Sequence, residues 1–254
     1  MKKASNIFDS DKFYWHCYIP FYETYFSNRI FKKIAEFGLF KGESIRWLLE
    51  RFPESKIYGA DLLSRQDSWP VDPRFISYQA DQDNLEQVKA FFSLDTFDLI
   101  IEDGSHQPKH QISCLLEGLK HLNSNGIYIL EDIQTSHPEH PINPINQKKS
   151  LFRPSPPKGN ALTVLLGIDH YKKIESPITG DHAKLIAKDS LLTAEEVFFL
   201  DKAIKDIHLY KRTQLPMKCH HCGSSDYSFS QLKCICGADI FSDTDSMSFV
   251  LIKS

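Results

Sequence analysis

The residues able to do chemistry fall into two groups. In "IIEDGSH", residues 100–106, an apolar run ends in Glu102 and Asp103, and His106 follows three residues later. Carboxylates and an imidazole at one strand end bind cations and move protons, and they make a poor core. The second group is "CHHCGSSDYSFSQLKCICG", where Cys219, Cys222, Cys234 and Cys236 read C-x2-C, an eleven-residue insert that opens with Gly223, then C-x-C-G. Four thiolates on two glycine-turned knuckles are the donor set of a structural Zn²⁺ ribbon, although the second knuckle is one residue shorter than usual. Cys17 and Cys114 stand alone and read as small buried hydrophobes.

The elements around the first group alternate. "KKIAEFG", "KIYGADL", "RFISYQAD", "FDLIIED" and "IYILED" are short apolar strands, each closing on an acid: Glu36, Asp61, Asp81, Asp103 and Asp132. Amphipathic stretches separate them. Ile45, Leu48, Leu49 and Phe52 share one helix face, and Ile112, Leu115, Leu116, Leu119 and Leu122 share another. Asp83 and Glu86 have capping-box spacing ahead of "NLEQVKAFF". The fold class is therefore α/β, a mostly parallel, doubly wound, Rossmann-like sheet. In such sheets ligands bind outside the carboxyl ends of the strands, so five acids along one rim form a functional array.

Beyond the fifth strand, residues 137–158 hold six of the 13 prolines and read as a substrate lid. "NALTVLLGIDHYKK" predicts a helix, "AKLIAKD" a strand, and Thr193 with Glu196 a capping box that opens another helix. "SMSFVLIKS" predicts a strand, paired either within the ribbon or at the edge of the main sheet. His110 and His137 read as surface residues. The chain divides into an N-terminal segment (1–30), a main domain (31–210) and a zinc-ribbon module (215–254).

At the first strand-to-helix turn, Glu36, Gly38 and Gly42 form E-x-G-x-x-x-G, where glycines admit a ligand to the backbone. Asp61 is placed to grip ribose hydroxyls, and Asp81 falls near an adenine amino group. An adenosine ligand without a pyrophosphate fits, and S-adenosyl-L-methionine is such a ligand.

"HCYIPFYETYF", "AEFGLFKGESIRWLLERFPESKIYGADL", "YQADQDNLEQV", "FDLIIEDGSHQPKHQ" and "GIYILEDIQTS" together resemble the macrocin and mycinamicin type of sugar O-methyltransferases over about residues 10–136. That resemblance implies a class I methyltransferase fold and metal-dependent methylation of a sugar hydroxyl. It implies Asp103, Asp132 and Glu23 as ligands to Mg²⁺ or a similar ion, and His106 as catalytic base. It also implies that Asp61 and Asp81 contact the cofactor, with Gln82 helping to hold the adenine. The cysteine ribbon departs from that family's pattern. Two alternatives stay open: a nucleic-acid-binding or RNA-modifying methyltransferase that uses the ribbon for recognition, and a hydroxylase-like member of the superfamily.

Totals bound the rest. Net charge is −3, with 41% hydrophobic and 25% charged residues. This is ordinary for a soluble domain and argues against nucleic acid as the principal partner. The expected partner is a small-molecule or glycan sugar substrate, and a homo-oligomer is left open. No apolar run reaches the roughly 20 residues of a spanning helix. The N-terminus has no apolar signal region, so the expected location is the cytoplasm.

Overall fold

Period-two alternation in the strands decides the layering. In "FDLIIE", Phe97 and Ile100 face one side of the sheet while Leu99 and Ile101 face the other. In "IYIL", Tyr128 and Leu130 oppose Ile127 and Ile129 in the same way. Both faces are apolar, so both must be covered by helices.

The computed structural model describes residues 10–137, 160–188, 190–242 and 245–254. A short helix α1 (Asp11–Tyr14) and α2 (Tyr18–Phe26) precede β1 (Lys33–Phe37), α3 (Glu43–Arg51), β2 (Lys56–Asp61) and β3 (Phe75–Gln79). Then come α4 (Leu85–Phe92), β4 (Phe97–Glu102), α5 (Pro108–His121), β5 (Leu122–Leu130) and a 3-10 turn (Ile133–Ser136). Helices α6 (Ala161–Lys173), α7 (Gly180–Ala187) and α8 (Ala194–Ala203) lead to β6 (Ile204–Lys211). The strands β7 (Tyr227–Ser228) and β8 (Lys233–Cys234) form a small ribbon, and β9 (Met247–Lys253) follows.

The main sheet has the order β3-β2-β1-β4-β5-β9-β6. β1 to β5 run parallel, and β9 is antiparallel to both β5 and β6. The order reverses between β1 and β4, which opens a crevice at their carboxyl ends. Helices α2 and α3 bury Tyr22, Phe26, Ile45 and Leu48 on one face of the sheet. Helices α4, α5, α6 and α8 bury Phe91, Leu115, Leu165 and Leu200 on the other.

Several expectations are corrected. Residues 183–187 of "AKLIAKD" lie in α7 and not in a strand, because Thr179 caps that helix and exchanges a capping box with His182. The cap of α4 is Asn84, whose side chain accepts from the amides of Glu86 and Gln87, so Asp83 is not the cap. α5 stops at His121, and Leu122 opens β5. His110 is buried, 7% exposed, with its ring on the Ser105 hydroxyl at 2.7 Å. The C-terminal strand belongs neither to the ribbon nor to the sheet edge. Its residues 248–252 are buried, and β9 lies between β5 and β6. The module assigned to 215–254 therefore ends before Met247 and is an insertion between β6 and β9. The expected lid, apart from His137, lies outside the described residues.

Candidate active site

The β1–α3 turn is built around Gly38. Its φ is +93°, and a Cβ there would meet the Asp103 carbonyl oxygen at 1.9 Å. Only glycine lets β1 and β4 end this close together. Asp61 braces the turn: its Oδ2 accepts from the amides of Leu39 (2.8 Å) and Phe40 (3.2 Å), and its Oδ1 accepts from Leu63. Gly42, at φ +78°, is the N-cap of α3.

The rim encloses a cleft of about 960 Å³. Gly38, Asp61, Asp81 and Gln82 line one part of it, together with the exposed apolar residues Phe40, Leu62 and Leu63. Acids beside exposed apolar side chains fit an adenosine, which has a flat apolar base and a hydroxylated ribose. Gln82 is committed elsewhere. Its Nε2 donates to Glu102 Oε1 (2.7 Å), and its Oε1 accepts from the Ser105 amide (2.7 Å), which ties two rim loops together. Glu36 lies beneath the rim and not on it. It is fully buried, its Oε2 accepts from the Ser44 hydroxyl at 3.0 Å, and burial raises its pKa to about 7.

Asp103, His106 and Asp132 converge, with one ligand atom from each within 4.8 Å of the others. His106 Nε2 lies 3.6 Å from Asp132 Oδ2 and 3.9 Å from Asp103 Oδ1. His106 takes a left-handed backbone at φ +57°, and its carbonyl accepts from Thr135 Oγ1 at 2.7 Å. Burial works to lower its pKa, but the charges of Asp132, Asp103 and Glu102 raise it overall. Asp132 also stands in a left-handed conformation, φ +50°. Burial opposes its charge, yet His16, His106 and the Tyr18 hydroxyl (2.7 Å) hold its pKa well below the usual carboxylate range. A carboxylate held ionised beside a second one and an imidazole fits a hard divalent cation.

Glu23 is not part of this group. Its two carboxylate oxygens accept from Arg51 Nε and Nη2, both at 2.8 Å. It follows Tyr18 on α2 by five residues, which carries it ~7.5 Å along the axis and turns it away from Asp132. Four residues missed by spacing arguments occupy the site instead: Lys12, His16, Tyr18 and Glu131. The Lys12 ammonium is buried among Asp103, Glu131 Oε2 (2.6 Å) and Glu36 Oε1 (3.6 Å). Glu131 directly precedes Asp132 in "LED", and that adjacency was the available signal. Burial pushes its pKa well up, against the pull of Lys12.

The four cysteine sulfurs also lie together, with Cys219–Cys236 at 3.7 Å and Cys222–Cys234 at 3.4 Å. Gly223 (φ +72°) and Gly237 (φ +87°) make the two knuckle turns. Amides of Cys222 and His221 face the Cys219 sulfur and, against the effect of burial, bring its pKa down to about 7. This donor set fits a zinc ion.

No family model matches the chain. Among curated proteins it is 28% identical over 138 residues to an 8-demethyl-8-alpha-L-rhamnosyl tetracenomycin-C 2'-O-methyltransferase of Streptomyces olivaceus, covering 50% of this chain and 36% of the relative. It is 26% identical over 148 residues to the mycinamicin VI 2''-O-methyltransferase of Micromonospora griseorubida, covering 54% and 37%. The solved structure of the MycE methyltransferase from the mycinamycin biosynthetic pathway, in complex with Mg, SAH and mycinamycin VI, superposes with a TM-score of 0.59. The identity is 22%, over 82% of this chain and 50% of that one. The matched part thus spans little more than a third of the curated relatives and half of the solved chain. The fold matches that of the MycE methyltransferase, and over about half its length the chain is similar in sequence to O-methyltransferases named for rhamnosyl tetracenomycin and mycinamicin.

Proposed function

We propose that this protein is an S-adenosylmethionine-dependent, divalent-metal-dependent O-methyltransferase that acts on a sugar hydroxyl of a glycan or glycosylated metabolite. The observation that carries the reading is the convergence of Asp103, His106 and Asp132 beside the Gly38 turn, at the point where the strand order reverses. When bound, the cofactor supplies the methyl group and the ion acidifies and orients the acceptor hydroxyl.

The chain's own residues do the rest. Asp61 and the Leu39–Phe40 backbone shape the ribose end of the cleft. Asp103 and Asp132 would hold the ion. His106 takes the proton from the acceptor oxygen as the methyl group is attacked, the work of a positioned imidazole. Tyr18 and His16 keep Asp132 ionised and oriented. A saccharide acceptor suits a rim rich in carboxylates, because neighbouring hydroxyls can both donate to it and share an ion.

The test uses labelled S-adenosylmethionine and methyl α-L-rhamnopyranoside, a minimal analogue of the rhamnosyl acceptor of one relative. Transfer to the rhamnoside that Mg²⁺ supports and EDTA abolishes is the expected result. Transfer indifferent to EDTA would overturn the metal-assisted mechanism, and absence of transfer would overturn the acceptor class.

A further inference from the structure

The four-cysteine module plays no part in the chemistry above, yet the topology delivers it to the catalytic rim. In the sheet, Lys211 at the end of β6 pairs with Met247 at the start of β9, and Phe249 pairs with Leu130 of β5. The chain therefore leaves β6 and re-enters β9 at the edge where β5 delivers Glu131 and Asp132. A module inserted there stands over the rim.

Its contacts confirm the position. Trp15 packs against the buried Cys219, Cys234 and Ile240, with the Arg212 guanidinium 4.9 Å above its ring. The Met217 amide donates to the Tyr14 carbonyl at 2.8 Å, and the Lys218 ammonium lies 4.1 Å from the Tyr14 ring. This same segment places Lys12 and His16 on the carboxylates. The module grips residues 14–15 from outside while their neighbours reach the site.

His220 is the module's residue on the cleft. It is exposed, its ring lies 5.8 Å from that of Trp15, and among the described residues neither of its nitrogens has a hydrogen-bond partner. The loops after β1, β2 and β3 form the cofactor part of the cleft. Asp103, His106 and Asp132 come next, and His220, carried by the insertion between β6 and β9, lies beyond them; α1 runs from Lys12 over Glu36, Asp103 and Glu131 to Tyr14 against the module. An acceptor must reach the three reacting groups from that far side.

We propose that the four-cysteine module is the acceptor-side wall of the cleft, with His220 hydrogen-bonding a saccharide acceptor. The assignment rests on the sugar-methyltransferase reading. A neutral imidazole offers one donor and one acceptor, a match for neighbouring sugar hydroxyls. Cys219 and Cys222 would hold a zinc ion on both sides of His220, which would set the position of its backbone before the acceptor arrives. His220 is a specificity residue here and not a catalytic one.

The experiment compares wild type, His220→Ala and His220→Phe, the last keeping a ring beside Trp15 but no hydrogen-bonding nitrogen. Zinc content, S-adenosylhomocysteine affinity, and KM and kcat for methyl α-L-rhamnopyranoside are measured for each. Expected are about one zinc per chain and cofactor affinity within twofold throughout, with the rhamnoside KM raised about tenfold in both variants, the usual worth of one hydrogen bond. If wild type methylates the rhamnoside and both variants keep its KM, the sugar reading stands and this assignment falls. If wild type transfers no methyl group to the rhamnoside, the sugar reading falls and takes the assignment with it. A protein without zinc would also overturn it. Should His220→Ala fail to fold, His220→Phe decides.

Discussion

The Lys12 ammonium lies 2.6 Å from Glu131 Oε2, joining two side chains 119 residues apart, and both are almost fully buried. Lys12 is the cation that neutralises the floor of the site, where Asp103, Glu131 and Glu36 crowd together. Replacing it by methionine leaves buried carboxylates without their counter-charge. Breaking a buried pair from one side typically costs about 3–5 kcal/mol. Lys12→Met should therefore lower the melting temperature sharply without divalent ion, and Mg²⁺ should restore more stability to it than to wild type. Equal Mg²⁺ shifts in the two proteins would show that Lys12 and the ion are independent.

Asp61 makes three backbone hydrogen bonds and also faces the cleft. Asp61→Ala loosens the Leu39–Phe40 turn and removes the proposed ribose contact. One charge-assisted hydrogen bond is worth about 1.5–3 kcal/mol, so S-adenosylmethionine affinity by calorimetry should fall at least about tenfold. Unchanged affinity would reduce Asp61 to a turn residue.

His106 offers two separate readouts. His106→Ala should lower turnover by about 10²–10⁴-fold while leaving cofactor affinity nearly intact. In the ion-free protein its imidazole should titrate above the ordinary value of about 6.5, because Asp132 and Asp103 favour its charged form. Adding Mg²⁺ screens those charges and should pull the midpoint down. Long-range nitrogen NMR can follow that titration, and a midpoint unmoved by Mg²⁺ would place the ion elsewhere.

Glu102 carries a pH signature in stability. It is fully buried, its Oε2 has no hydrogen-bond partner among the described residues, and burial raises its pKa to about 7. A carboxyl whose pKa is raised in the folded state costs nothing below its unfolded pKa, costs progressively more as pH climbs from there to the folded value, and stays at its full cost above it. The cost is about 3 kcal/mol once fully ionised, at about 1.4 kcal/mol per pH unit. Glu102→Gln should thus gain on wild type between pH 5 and pH 8 in denaturant titrations. A difference between the two proteins that stays flat with pH would contradict this.

The parts of the site that were legible in the sequence are those whose partners are near in the chain. Asp103 and His106 share one turn, Asp132 closes the next strand, and the four cysteines lie within eighteen residues. Short apolar runs such as "FDLIIE" and "IYIL", alternating with amphipathic stretches, likewise revealed the sheet. Lys12 was illegible, because a lysine in a charged N-terminal stretch looks solvated, and its partner Asp103 is 91 residues away. Glu23 misled for a similar reason: it shares α2 with Tyr18, but helical geometry sends the two to different neighbours. The strand reading of "AKLIAKD" failed because four apolar residues fit either period, and the deciding cap, Thr179, lies before the stretch.

The insertion of the cysteine module between β6 and β9 also orders events during synthesis. Among the described residues β6 pairs with β9 alone, so as the chain leaves the ribosome it waits as an unpaired edge while the module is made. Its apolar residues Ile204 and Ile207 stay open to other chains over that interval. A module that closes early on zinc brings the start of β9 back beside the end of β6 and shortens the exposure. Zinc supply would then govern the yield of folded protein as much as the shape of the cleft.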